Sequence, residues 1–217
     1  MVENKTAGQA TLDELEARVP SSMHPILEAA FKHRKQIMAS VAAIILAAAA
    51  YAAYSGYSAR TLAEAQSQLG VIVIEASGQD KLDRLEGLLG SAPSSAKAAV
   101  LAELAQSAMN LEDWDKAASA WGRLAGVADD ELKTVARLGE AKCLLLAGKA
   151  SEAVTALKTL AANAPAGFAV PIQRQLAAAA EQAGDTAQAL QAYRRLSEEQ
   201  VSDKPFIDHR IAQLEAN

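Results

Sequence analysis

The sequence predicts an all-α protein, with a single N-terminal transmembrane helix followed by an α-solenoid of repeated helix–turn–helix units. Three observations predict it. Residues 36–57 carry no charge. Segments 114–125, 150–161 and 186–197 repeat one pattern at a spacing of 36 residues. The one strand-like run, residues 71–74, has no second run to pair with and therefore reads as helix.

Residues 36–57 (QIMASVAAIILAAAAYAAYSGY) are long enough to span a bilayer. A helix rises about 1.5 Å per residue, so roughly 20 residues cross a hydrocarbon core about 30 Å thick. Ile37, Val41, Ile44, Ile45 and Leu46 supply the apolar character, within an alanine-rich remainder. Tyr51, Tyr54 and Tyr57 stand at the far end, where ring and hydroxyl suit a membrane–water boundary. A buried soluble helix of this length would normally carry a polar stripe. Lys32, Arg34 and Lys35, with His33 among them, precede the run, whereas Arg60 stands alone beyond it. The positive-inside rule then predicts a cytoplasmic tail over 1–35 and a C-terminal bulk outside. The chain is bacterial in style, so the expected location is the inner membrane with a periplasmic domain. A cleaved signal peptide is the competing reading. Its charged region would run to some 35 residues and its apolar core is too extended. Small-x-small triplets such as Ala50-Tyr51-Ala52 arise in any alanine-rich run, and an uncleaved anchor is expected.

Removing tail and anchor from the 217 residues leaves about 160, enough for one soluble core. Residues 1–57 hold five basic and five acidic side chains, so the whole net charge of −5 falls on 58–217. An acidic domain without a basic stripe argues against nucleic acid as a partner. Cys143 is the one cysteine and cannot form an internal disulfide; a small buried apolar residue is expected there. Aromatics make up 4% of the chain and alanine is abundant, which points to closely approaching helices rather than large cores.

In chain order, residues 1–10 are polar. Residues 11–14 (TLDE) fit a capping box, with Leu12, Leu15 and Val19 following at helical spacing until Pro20. Ser21 and Ser22 suit the start of a second short helix through Ile26, Leu27 and Phe31. After the anchor, Leu62, Leu69 and residues 71–74 continue a helix that ends near Ser77 and Gly78. Residues 80–89 read as a short amphipathic helix burying Leu82, Leu85, Leu88 and Leu89, with a break at residues 90–93. Residues 58–93 are thus a linker helix and a degenerate helix pair, and 94–217 are the repeats with a capping helix after Pro205.

Within the repeats, Ala117, Ala153 and Ala189 align; Trp121, Leu157 and Tyr193 align four residues later; Leu124, Leu160 and Leu196 three after that. Gly148 and Gly184 precede the second and third segments at matching offsets, and Asn110 stands near that turn in the first. Each segment follows another apolar helix, over 96–110, 131–147 and 171–183. A small alanine lets the two helices of a pair approach, a bulky residue one turn on fills the gap to the next pair, and glycine takes the left-handed conformation that ends the first helix. One pair cannot bury its own face, so neighbours must stack.

These residues resemble the tetratricopeptide repeat family. The likeness rests on Gly148 and Gly184, the three alanines, the three bulky residues and Pro165 at a repeat end, with Leu104-Ala105 and Leu176-Ala177 as the apolar-then-small pair of the first helix. The family's first-helix Trp and Tyr are absent and the period is about two residues longer, so the resemblance speaks to architecture rather than to a ligand site. The whole layout, and most closely residues 103–120 and 129–160, resembles the YfgM-type ancillary subunits of the Sec translocon. That resemblance implies an inner-membrane companion of the secretion channel and of a periplasmic, membrane-anchored folding factor, with client chains as a further class of partner.

Catalytic constellations are not found. His24 and His33 fall on the opposite side of the anchor from His209. Glu198 and Glu199 read as a solvated pair, Trp114 and Trp121 as packing, and Arg194 and Arg195 as a charged outer face that would otherwise suit an acidic partner. Phosphate loops, metal-binding cysteine pairs and nucleophile elbows are missing. No catalytic residue, cofactor or metal is expected. The predicted function is a membrane-anchored scaffold that contacts proteins through its concave repeat surface, with first-helix residues of the repeats as the expected contacts, and through Ile37, Val41, Ile44 and Ile45 of the anchor. The alternative is an anchored repeat scaffold for cytochrome maturation or cell-envelope assembly.

Overall fold

The computed structural model describes residues 32–216. The short helices expected between residues 11 and 31 lie outside them. The described residues form α1 (Arg34–Glu75), α2 (Gly78–Ser91), α3 (Ser94–Asn110), α4 (Trp114–Val127), α5 (Asp130–Leu146) and α6 (Ala150–Asn163). A 3₁₀ turn (Ala166–Phe168) leads into α7 (Ala169–Gln182), α8 (Thr186–Glu198) and α9 (Lys204–Glu215). Among the described residues there is no strand, and residues 71–74 lie inside α1. The chain divides between Tyr57 and Ser58 into two units.

In the first unit, α1 presents its apolar side chains to the surroundings. Ile37, Val41, Ile44, Ile45 and Leu46 are each at least 46% exposed. α1 contains an 18-residue window of mean hydropathy 2.0, none of it buried, and is the one helix among the described residues long and apolar enough to cross a membrane.

In the second unit, buried side chains fall into two clusters. The first joins Leu82 and Leu85 of α2, Val100 and Leu104 of α3 and Leu124 of α4, with Ala65 and Ile72 from the later part of α1. The second joins Leu157 of α6, Ile172 and Leu176 of α7, Leu196 of α8 and Ile207 of α9. α5 belongs to both. Ala136 and Cys143 are buried in the first cluster, while Ala141, with Leu138 and Leu145 against it, belongs to the second. At 3.6 residues per turn, 136 and 143 share one stripe, and 138, 141 and 145 share the opposite one. The helix is apolar on two sides, which is why neighbouring pairs stack on it rather than closing into separate bundles.

Each pair is closed by the same junction. The N–H of Asp113, Lys149 and Asp185 donates to the carbonyl of Ala108, Leu144 and Ala180 at 3.0, 2.9 and 2.8 Å. One residue earlier, Glu112, Gly148 and Gly184 donate to Met109, Leu145 and Glu181, each at 3.1 Å. This paired bonding satisfies the last carbonyls of the first helix and requires positive φ at the middle residue. Gly148 and Gly184 take φ 77° and 74°. The equivalent in the first pair is Glu112 at φ 57°, two residues beyond the asparagine that sequence placed near the turn. The residue after the turn starts the next helix. Asp113 and Asp185 cap it, accepting from the N–H of Lys116 (3.1 Å) and Gln188 (3.0 Å), while Lys149 offers no side-chain cap. Pro165 follows the end of α6, and Pro171 sits in the first turn of α7, where a missing N–H removes no helix bond.

A side chain in the left-handed region is strained by about 1–2 kcal/mol. Glu112→Gly is therefore expected to raise stability by about 1 kcal/mol, and Gly148→Ala to lower it by about as much. Denaturant unfolding of the two variants against the parent chain measures both; a Glu112→Gly variant no more stable than the parent contradicts the strain.

Candidate interaction surfaces of the repeat stack

Ala117, Ala153 and Ala189 are wholly buried, as are Leu124, Leu157 and Leu196. The position shared by Trp121, Leu157 and Tyr193 serves three pairs in three ways. Leu157 lies in the second core. Trp121 is half-buried, and its ring lies flat enough on α5 that a Cβ at Gly139 would come within 2.7 Å of it. The indole N–H points at Met109 Sδ, 3.4 Å away. Gly139 was not singled out from sequence: a lone mid-helix glycine has no signature until the ring above it is seen.

Tyr193 belongs to the closure of the stack by α9. That helix buries Ile207 and packs Ile211 and Leu214 against the second core. Ion pairs tie it down: Arg174 holds Asp203 through two bonds of 2.5 and 2.6 Å, Arg194 reaches Glu215 at 2.7 Å, and Arg210 pairs with Glu181. Arg194 is therefore engaged within the chain. The Arg174 guanidinium holds the Asp203 carboxyl below its ordinary value. Burial, followed by hydrogen bonding to Glu181, pushes the Tyr193 phenol above its ordinary value, against a smaller opposing effect of Arg210. His209 is exposed on α9. Cys143 is buried, and that burial raises its thiol pKa despite the neighbouring Lys142.

Leu160 departs from Leu124 and Leu196. It is half-buried and lines a solvent-open groove of about 1070 Å³ between α5 and α6. Lys133, Arg137 and Glu140 form part of the α5 wall, with Arg137 and Glu140 paired at 2.7 Å. The α6 wall carries Ser151, Thr155, Thr159 and Asn163 at every fourth position. Thr155 and Thr159 donate their hydroxyls to the carbonyls of Ser151 and Thr155, both at 3.0 Å, and the Asn163 amide donates to Thr159 O at 2.9 Å. The two threonine hydroxyls are spent as donors within the helix, so at these positions the wall offers oxygen acceptors to the groove. Acceptors four residues apart on a helix rise by about 6 Å, close to the two-residue repeat of about 6.6 Å in an extended chain.

A second cavity, of about 390 Å³, lies between the end of α6, the start of α7 and the end of α8. Gln173 lines it, 8% exposed, and no donor among the described residues reaches its Oε1. A buried acceptor left without a partner costs about 1–3 kcal/mol. Among the described residues, no group of three or more His, Cys, Asp or Glu is placed to hold a metal ion.

Gly139→Ala is expected to lose about 1–2 kcal/mol, because the added methyl meets a rigid ring. Gly87→Ala in α2, where nothing lies within 4 Å of an added Cβ, is expected to gain up to about 1 kcal/mol from helix propensity. Thermal or denaturant unfolding separates the two, and equal effects at both positions would refute the ring contact. Because the fold favours the neutral Tyr193 phenol, its contribution is complete below the ordinary tyrosine value near 10 and is lost as pH climbs beyond it. Tyr193→Phe should flatten the decline of stability between about pH 9 and 11; an unchanged slope counts against this assignment.

Comparison with curated proteins and with solved structures gives no match. A family model described as a tetratricopeptide repeat-like domain matches residues 31–216, a range that includes every described residue. The recurring junctions, the aligned alanines and the two-sided α5 are the physical content of that match, and the chain belongs to the tetratricopeptide repeat-like family.

Proposed function

We propose that this chain is a membrane-anchored scaffold that binds other proteins through its repeat stack, with no catalytic activity of its own. The observation that carries the reading is the groove between α5 and α6, a row of unspent acceptors spaced to meet the N–H groups of an extended chain. Repeat stacks of this family serve as protein-interaction scaffolds, and an extended segment of a client or partner is the occupant that this wall suits.

In this reading residues 1–35 are a cytoplasmic tail, 36–57 the membrane span, 58–93 a linker helix with a degenerate pair, and 94–217 the binding stack. The exposed apolar face of Ile37, Val41, Ile44, Ile45 and Leu46 supports the span, and the basic flank of Lys32, Arg34 and Lys35 supports a cytoplasmic N-terminus. The stack then lies in the periplasm of a bacterial inner membrane. The aligned residues from Ala117 to Leu196 hold the repeats together, and contact with partners falls on the open faces between them. The likeness in layout to the YfgM-type subunits supports a place beside the Sec translocon, linking it to a periplasmic folding factor and helping clients at the channel exit.

A reporter enzyme active only outside the cytoplasm, fused after Asn217, is expected to be active; an inactive, stably expressed fusion would overturn the orientation. Purification in mild detergent is expected to retain Sec components, and Thr155→Val with Thr159→Val to reduce client recovery several-fold while the fold persists. Recovery of a cytochrome-maturation or envelope-assembly complex instead of Sec components would move the scaffold to that setting.

A further inference from the structure

The cavity between the end of α6, the start of α7 and the end of α8 has a polar side that none of the repeat packing uses. Ala164 and Ile172 form an apolar wall, and Gln173, Arg195, Glu198 and Glu199 supply the polar one. Two of these groups face a deficit. Gln173 is nine-tenths buried, and its Oε1 finds no donor among the described residues. Glu198 and Glu199 are exposed, and Arg195, three and four residues before them, forms no ion pair with either among the described residues. Among the lining side chains two carboxylates stand against one guanidinium, with the Lys204 ammonium held on the Ser197 carbonyl at the same helix end, and the Gln173 acceptor lies behind them, closed off from solvent.

We propose that this cavity accepts the basic side chain of a partner protein, an arginine or lysine. The aliphatic stem lies along Ala164 and Ile172, as long cationic side chains lie along apolar surface elsewhere. The charged head donates to Gln173 Oε1 and pairs with Glu198 or Glu199. An arginine is the better fit, because its planar fork can serve a carbonyl and a carboxylate together. The terminal amide of Gln173 turns about a soft torsion, so its oxygen can be presented to the cavity without backbone change. The first turn of α7 has no side-chain cap and borders the same space, which favours an anion beside Arg195. The orphan acceptor and the two unpaired carboxylates outweigh it. The site goes beyond the α5–α6 groove, depends on different residues, and takes from the scaffold reading only that the partner is a protein.

The test uses the full chain in an uncharged detergent, with a blocked Ala-Arg-Ala tripeptide as probe. Its citrulline counterpart, with the same shape and no charge, and a blocked Ala-Asp-Ala tripeptide are the comparisons. Side-chain and backbone amide shifts report binding at Gln173, Ala164 and Ile172. Saturable shifts at these residues are expected with the arginine peptide, at least tenfold weaker with citrulline. Glu198→Gln with Glu199→Gln, both exposed and harmless to the fold, should weaken binding at least fivefold, and Gln173→Leu similarly while helix content and melting behaviour are retained. An equal response to citrulline, a preference for the aspartate peptide, or wild-type binding by the double carboxylate variant would overturn the proposal. Co-purification with the same double variant keeps the scaffold reading separate: partners recovered by the parent chain and reduced in the variant support both, partners recovered equally by the two overturn the cavity as a partner site while the scaffold reading stands, and no partners from the parent chain overturn both.

Discussion

A two-helix hairpin rich in alanine has too little side chain to form a core of its own, and this constraint organises the second unit. Its helices gain burial only by lying close to more than one neighbour. α5 meets the requirement most fully, with Ala136 and Cys143 buried on one side and Ala141 on the other. Small residues at these places let backbones approach, and the larger ones that close the gaps come from elsewhere: Leu104 and Leu124 in the first core, Leu157, Ile172 and Leu196 in the second. The stack is continuous because a single helix is shared between two cores, so a substitution on α5 is felt in both.

The ends of such a stack need different solutions. The later part of α1 contributes Ala65 and Ile72 to the first core and leaves Ile74 outside, at 85% exposure. The other end is covered by α9, which buries little beyond Ile207 and relies on charge, through Arg174, Arg194 and Arg210. Those pairs are partly exposed, so each contributes modestly; their combined effect is to fix where the helix lies rather than to supply most of its stability.

Much of this architecture was legible in the sequence because it is periodic. A spacing of 36 residues exposes the buried alanines, the leucines and the two turn glycines without any knowledge of contacts. What was not legible is what breaks the period. Glu112 occupies a glycine position, and nothing about glutamate advertises positive φ. Gly139 matters because of a ring 18 residues before it in the chain, and no local pattern records that contact. Leu160 matches two buried leucines in register yet borders a groove, because how far two helices part depends on all their facing residues and not on one aligned position. The partners of Arg174, Arg194 and Arg210 join segments 29, 21 and 29 residues apart, beyond the reach of helical spacing.

Two further departures fall in the middle pair. The first and third have an aspartate cap on their second helix and an aromatic residue at the gap-filling position; the middle one has Lys149 and Leu157. Its second helix turns a row of hydroxyls and an amide outward where a stack built for rigidity alone would repeat the aromatic and the cap. A leucine fills less of the space between pairs than an indole or a phenol, and an uncapped first turn holds the helix start less firmly. The open groove of about 1070 Å³ lies on this pair, between α5 and α6. The pair that departs at its gap-filling and capping positions is thus also the one whose second helix lines an open groove with threonine oxygens, the face that the proposed client segment would use.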